Sequence, residues 1–189
     1  MYSILAAYVI LIAYFAITES RRKGQAATTL MGGPFDQAST RLLSLAVVIN
    51  IILLIVALAL NYLKLGVMVD VIGWIGIAVM LSGITLRMWA VQTLGRFYTR
   101  TLRISESQRV VQEGPYKNVR HPGYLGVILL WVGAGLATAN WIVAALVTLT
   151  VIAAYRYRIN AEERMLVASF GEQYAAYMKH TWRLLPFVW

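Results

Sequence analysis

Tyr124–Tyr155, YLGVILLWVGAGLATANWIVAALVTLTVIAAY, is an apolar run of about 32 residues with no charged side chain. As one helix rising 1.5 Å per residue it would reach nearly 50 Å, well beyond a hydrocarbon core of about 30 Å. The run therefore has to break. Ala139-Asn140-Trp141 is the natural place, giving a tight helical hairpin of two short spans. Polar clusters flank it: Glu113–Gly126 (EGPYKNVRHPGYLG) at the start and Arg156–Glu163 (RYRINAEE) at the end. A hairpin returns both clusters to one side, where they are expected to build one site.

The rest of the chain agrees with a membrane setting. Sixty per cent of its residues are hydrophobic, mean hydropathy is +0.67 and 13% are charged, against about 25% in soluble domains. At 189 residues, spans of about 20 residues leave no room for a large soluble domain. One all-α integral membrane domain over residues 1–189 is expected, with its N-terminal spans in 1–85. Tyr2–Ile17, Leu42–Leu63 and Val71–Ala90 are the first three spans, and the hairpin makes five transmembrane helices. The first lacks the basic region and small-residue cleavage site of a signal peptide, so it reads as a retained span. Gly73, Gly76 and Gly83 in the third suit close helix packing. Arg87–Arg120 reads as a loop or interfacial helix, and the tail beyond Arg156 as an amphipathic segment at the interface or over the site.

Charge sets orientation. With Arg87 counted in the Arg87–Arg120 connection that follows span three, the loops after spans one, three and five carry 16 of the 17 Lys and Arg residues, all but Lys64. Under the positive-inside rule that side is cytoplasmic, the N-terminus faces outward, and both polar clusters face the cytoplasm. The net charge of +9 is thus accounted for by topology and does not call for nucleic acid.

Pro115 and Pro122 restrict the residues before them, and Pro122 suits the first turn of a helix. The start of span four, edged by Arg120, His121 and Tyr124, either holds an anionic or polar ligand on its free N–H groups or marks the lipid headgroup boundary. Arg158 and Glu162, four residues apart, share a helical face. They form either an ordinary ion pair or a ligand site in which arginine holds an acidic group and the carboxylate a cation. With no cysteine, two distant histidines and no HExxH spacing, the pattern does not point to a metal site. Gly133-Ala134-Gly135 lacks the strand and third glycine of a Rossmann turn, and Ser82 and Thr85 have no partners for a hydrolase.

Leu86–Trp189 resembles the isoprenylcysteine carboxyl methyltransferase family and the related phospholipid methyltransferases. The resemblance rests on LGRFYTRTL, VVQEGPYKNVRHPGYLG, NAEERML and FGEQYAAYMKHTWRLLPF. It implies that residues 86–189 are the catalytic part of an all-helical enzyme binding S-adenosylmethionine at a cytoplasmic site. Carried over by motif, the cofactor residues are Gln108, Val110, Val111, Tyr116, His121, Pro122, Gly123, Tyr124 and Glu162, with Gln108 standing where some members have histidine. Arg158 matches the arginine that contacts the methyl acceptor, which makes Arg158 and Glu162 the catalytic pair. The implied acceptor is a lipophilic small molecule or lipidated carboxylate reached through membrane lipid. The N-terminal part is shorter than in eukaryotic members, which points to a prokaryotic cell membrane. A phospholipid amine acceptor and a nicotinamide-dependent membrane reductase are the rival expectations.

Overall fold

In the computed structural model of the chain, residues 2–20, 36, 38–98 and 109–185 are described. The helices are α1 (Tyr2–Ser20), α2 (Ser39–Tyr62), α3 (Asp70–Leu94), α4 (Pro122–Ala137), α5 (Trp141–Phe170) and α6 (Glu172–Lys179), with 3-10 turns at Gly95–Phe97 and Gly114–Lys117. The five apolar stretches expected from the sequence correspond in order to α1–α5. Among the described residues α2, α3 and α5 are long and apolar enough to cross a membrane, and α4 is a shorter apolar helix. Large apolar side chains such as Ile51, Ile52, Ile55 and Leu149 point outward, while Trp131, Leu54, Met80, Val143 and Val147 fill the interior. That distribution is the one lipid selects, since an apolar solvent gives no reason to hide them.

The hairpin breaks where expected, and the described atoms show how. Ala139 takes a left-handed φ of 49°. The fully buried Asn140 then caps α5, its Oδ1 accepting from the N–H groups of Ile142 at 3.1 Å and Val143 at 3.3 Å. Its Nδ2 donates to Asn61 Oδ1 and to the Leu65 carbonyl, both at 2.8 Å, and Asn61 Nδ2 donates to the Thr138 carbonyl at 2.7 Å. One amide thus ties the α4–α5 turn to the α2–α3 turn.

Two expected boundaries move. Helix α3 continues to Leu94, so Arg87 lies inside a helix and not in a polar connection. Helix α5 does not stop at Tyr155. The segment RYRINAEERML contains no glycine or proline, nothing in it opposes helix, and the helix ends only before Gly171, whose φ is 53°. Its 30 residues span about 45 Å, so the second polar cluster rides on the same rod as the last span. Of the expected amphipathic tail, α6 buries Tyr174 and Tyr177.

The most extensive packing joins α3 to α4. A Cβ at Gly83 would fall 2.5 Å from the Gly126 carbonyl oxygen, and one at Gly133 would fall 2.6 Å from that of Gly76. Two glycines seven residues apart on each helix therefore let the backbones touch. This contact sets Arg87, one turn beyond Gly83, against the first turn of α4.

Candidate functional site

The site is built where the loop before α4 meets the second half of α5. His121 is the N-cap of α4, and Pro122 is its first residue. The chain approaching it is held by residues near the C-terminus. Arg120 N donates to the Trp182 carbonyl at 2.8 Å, His121 N to that of Arg183 at 3.1 Å, and Trp182 N to that of Asn118 at 2.9 Å. The Arg120 guanidinium adds a bond to the Met178 carbonyl at 3.0 Å and another to the Thr181 carbonyl.

Glu163 is the hub of this arrangement. Its Oε1 accepts from Arg120 Nε at 2.9 Å and lies 3.2 Å from His121 Nε2, while Arg183 Nη2 lies 2.7 Å from Oε2. The last contact is an ion pair whose alignment is not that of a hydrogen bond. One buried carboxylate thus gathers three basic side chains from two other segments. Sequence reasoning named Glu162 and passed over its neighbour, because adjacency in a helix says nothing about which glutamate turns inward.

Arg158 is buried too. Its Nη1 donates to Asp36 Oδ1 and Ser39 Oγ at 2.7 Å and to Thr40 Oγ1 at 3.1 Å, and its Nε to the Tyr124 hydroxyl at 3.2 Å. Burial raises the Asp36 pKa, but hydrogen bonds from Thr40 and Ser39, together with the Arg158 charge, outweigh it and hold the carboxyl below its ordinary value. A lowered folded pKa stabilises above the unfolded value of about 4, and that contribution disappears as pH falls through the folded value. Acid titration of the solubilised chain should therefore loosen α2 from α5 only below about pH 4. Asp36→Asn should flatten that limb of the melting-temperature profile; an unchanged acid limb would remove Asp36 from the account.

Glu162 sits one turn from Arg158 and interacts with the Tyr124 hydroxyl. Its Oε2 is buried without a hydrogen-bond partner among the described residues. The Tyr124 ring stacks on His121, centroids 5.6 Å apart and planes within 7°. Val111 and Tyr116 pack with Ala90, Tyr116 accepts at its carbonyl from Tyr177 Oη at 2.6 Å, and Val110 is half-buried beside them. Gly123 is buried, and a Cβ there would meet Arg87 Nη1 at 2.9 Å, so any side chain would displace the end of that arginine. The structure thus brings Val110, Val111, Tyr116, His121, Pro122, Gly123, Tyr124, Arg158 and Glu162 to one end of the helices. Gln108 lies outside the described residues.

Arg87 is the residue sequence reasoning missed. Its Nη2 donates to Tyr98 Oη at 2.7 Å, and its charge faces Tyr14, Tyr155 and Tyr124 besides Tyr98. Among the described residues it has no ion-paired carboxylate. The available signal was an ionisable residue within a long apolar helical run, which marks function by default. Reading the helix as ending at Ala90 had placed Arg87 at a boundary, where arginine is ordinary.

The fold and site together define a small polytopic helical membrane protein whose last long helices gather polar side chains at one end. The chain belongs to the isoprenylcysteine carboxyl methyltransferase family, whose model matches residues 74–168. A probable protein-S-isoprenylcysteine O-methyltransferase of Oryza sativa subsp. indica is 30% identical over 119 residues, 62% of either chain. Protein-S-isoprenylcysteine O-methyltransferase B of Arabidopsis thaliana is 34% identical over 115 residues, 60% of this chain and 58% of the relative. For the Homo sapiens enzyme the figures are 31% over 115 residues, 60% and 40%. The chain spans about three fifths of the length of the plant relatives it matches. A structure of the eukaryotic intramembrane Ras methyltransferase of this family superposes with a TM-score of 0.67 at 24% identity, covering 93% of this chain and 60% of that one.

Proposed function

We propose that this chain transfers a methyl group from S-adenosylmethionine to the carboxylate of an isoprenylcysteine-like or other lipid-linked acceptor, at a site facing the cytoplasm. The observation that carries this reading is Arg87, a half-buried guanidinium inside α3 that faces four tyrosines and has no carboxylate partner among the described residues. A planar fork in such a place suits a carboxylate brought by the substrate. It would repel an ammonium, so an amine acceptor is disfavoured.

The donor-side residues also fit. Glu162 Oε2, buried and without a donor, can accept from the polar hydrogens of a nucleoside or amino-acid moiety. The His121–Tyr124 stack, Pro122 and the side-chain-free Gly123 leave a flat wall beside it, and Val110, Val111 and Tyr116 complete an apolar face. When bound, the cofactor supplies an electrophilic methyl on a sulfonium. Arg87, with Arg158 beyond the Tyr124 hydroxyl, would orient the acceptor oxygen in line with that methyl. No base is required, because the carboxylate already carries its negative charge at neutral pH. Opposite charges cancel as the methyl moves, so a water-poor setting lined by tyrosine favours the transition state over the charged reactants. The acceptor's lipid part would enter laterally from the bilayer, and the N-terminus would face outward.

The test is a direct titration of the detergent-solubilised chain with S-adenosylhomocysteine and with NADPH. Binding of the first and not the second is expected, and the reverse would overturn the reading. Glu162→Ala should weaken S-adenosylhomocysteine by about 10- to 100-fold, the loss of hydrogen bonds to a charged group. Arg87→Ala should leave that binding intact while lowering kcat/KM for lipid carboxylates by about 10²-fold, as expected on truncating one side of a buried charge pair. An Arg87→Ala variant that methylates normally would remove Arg87 from the acceptor site.

A further inference from the structure

A second recess lies on the far side of α5. Counting 100° per residue from Arg158, Glu162 is about 40° round the helix, whereas Asn160, Val167 and Arg164 fall at about 180–240°. These three, with Glu163, Ala168, Met178 and Arg183, line an open cleft of about 440 Å³. The carboxylate among its described lining residues, Glu163, is paired with Arg120, His121 and Arg183, so basic groups outnumber it. Two arginines stand against it in the lining. Val167, Ala168 and Met178 add an apolar wall, and Arg183 Nη1 is braced by Asn160 Oδ1 at 3.3 Å. The cleft sits where α5 passes from its uncharged run to its charged end.

We propose that this cleft binds the headgroup phosphate of an anionic membrane phospholipid, with Arg164 and Arg183 on the phosphate and Val167, Ala168 and Met178 along the glycerol and upper acyl chain. An anion with an apolar continuation matches a recess that is basic on one side and apolar on the other. The inference rests on the chain being embedded in a membrane and not on the methyl-transfer reading, because the donor residues occupy the other face of α5. Through Arg183 and Glu163 a bound lipid would nonetheless reach the His121 end of the site.

The chain in detergent is titrated with phosphatidylglycerol, phosphatidylcholine and inorganic phosphate, following its melting temperature. Phosphatidylglycerol should raise it saturably, and the other two should not. Arg164→Ala should shift the phosphatidylglycerol titration about five-fold to higher concentration, the usual worth of one arginine at an anionic surface. Ala168→Trp, which fills the exposed cleft without removing charge, should abolish the response. The lipid-free melting temperature of each variant reports its folding separately from any cofactor measurement. An equal response to phosphatidylcholine would overturn the proposal, and so would a response to inorganic phosphate alone. Variants that titrate like the parent chain would overturn it as well.

Discussion

Replacing Glu163 with alanine is expected to cost about 3–5 kcal/mol, the usual penalty for removing one member of a buried ion cluster and leaving its partners uncompensated. Arg120 and His121 are almost wholly buried around it, their side chains 8% and 3% exposed. Neither can turn to water without undoing the backbone pairing between residues 118–121 and 181–183. Thermal melting of the purified variant should show a large loss of stability, with S-adenosylhomocysteine binding failing at the same time because His121 loses its orientation. Glu163→Gln keeps an acceptor for Arg120 and should fall in between. If Glu163→Ala melts within a degree or two of the parent, the hub is a crowding of charges without structural weight.

Alanine at Gly83 or Gly126 is expected to be worse than its single added methyl suggests. Overpacking a core generally costs about 1–3 kcal/mol, because neighbouring side chains shift to make room. Here the neighbour is backbone: the new carbon would sit 2.5 Å from the Gly126 oxygen in one case and 2.7 Å from the Arg87 amide nitrogen in the other. The helices must separate along their whole contact, which moves Arg87 away from Gly123 and the first turn of α4. Such variants should lose stability and, with it, the proposed methyl transfer. Gly171→Ala is a useful contrast, as nothing lies within 4 Å of that position and only its φ of 53° opposes the change. Equal melting of Gly83→Ala and the parent would show that α3 and α4 do not need their close approach.

The hairpin was legible because length alone forbids one span across 32 uncharged residues, and Asn140 is a strong helix cap within it. The glycine spacing in α3 announced close packing, though its partners Gly126 and Gly133 on α4 were not foreseen. Helix ends were harder to read. Both α3 and α5 run past the point where hydropathy falls, since helix propensity and hydropathy part company in MWAVQTL and RYRINAEERML. The site divided in the same way. Its motif residues were found through local patterns, whereas Asp36 could not be, because it meets Arg158 across 122 positions and lies in what reads as a linker. The inward turn of Glu163 likewise depends on Arg183, which no periodicity connects to it.

That dependence bears on the order in which the protein is made. The loop carrying His121 takes its conformation from Trp182 and Arg183, some sixty residues later in synthesis. The spans can insert one after another as they leave the ribosome, but the pocket cannot take shape until its strap has also emerged. A nascent chain halted before Arg183 would be membrane-inserted without that loop in place. If the chain binds a methyl donor as proposed, that binding would report that translation had passed this point.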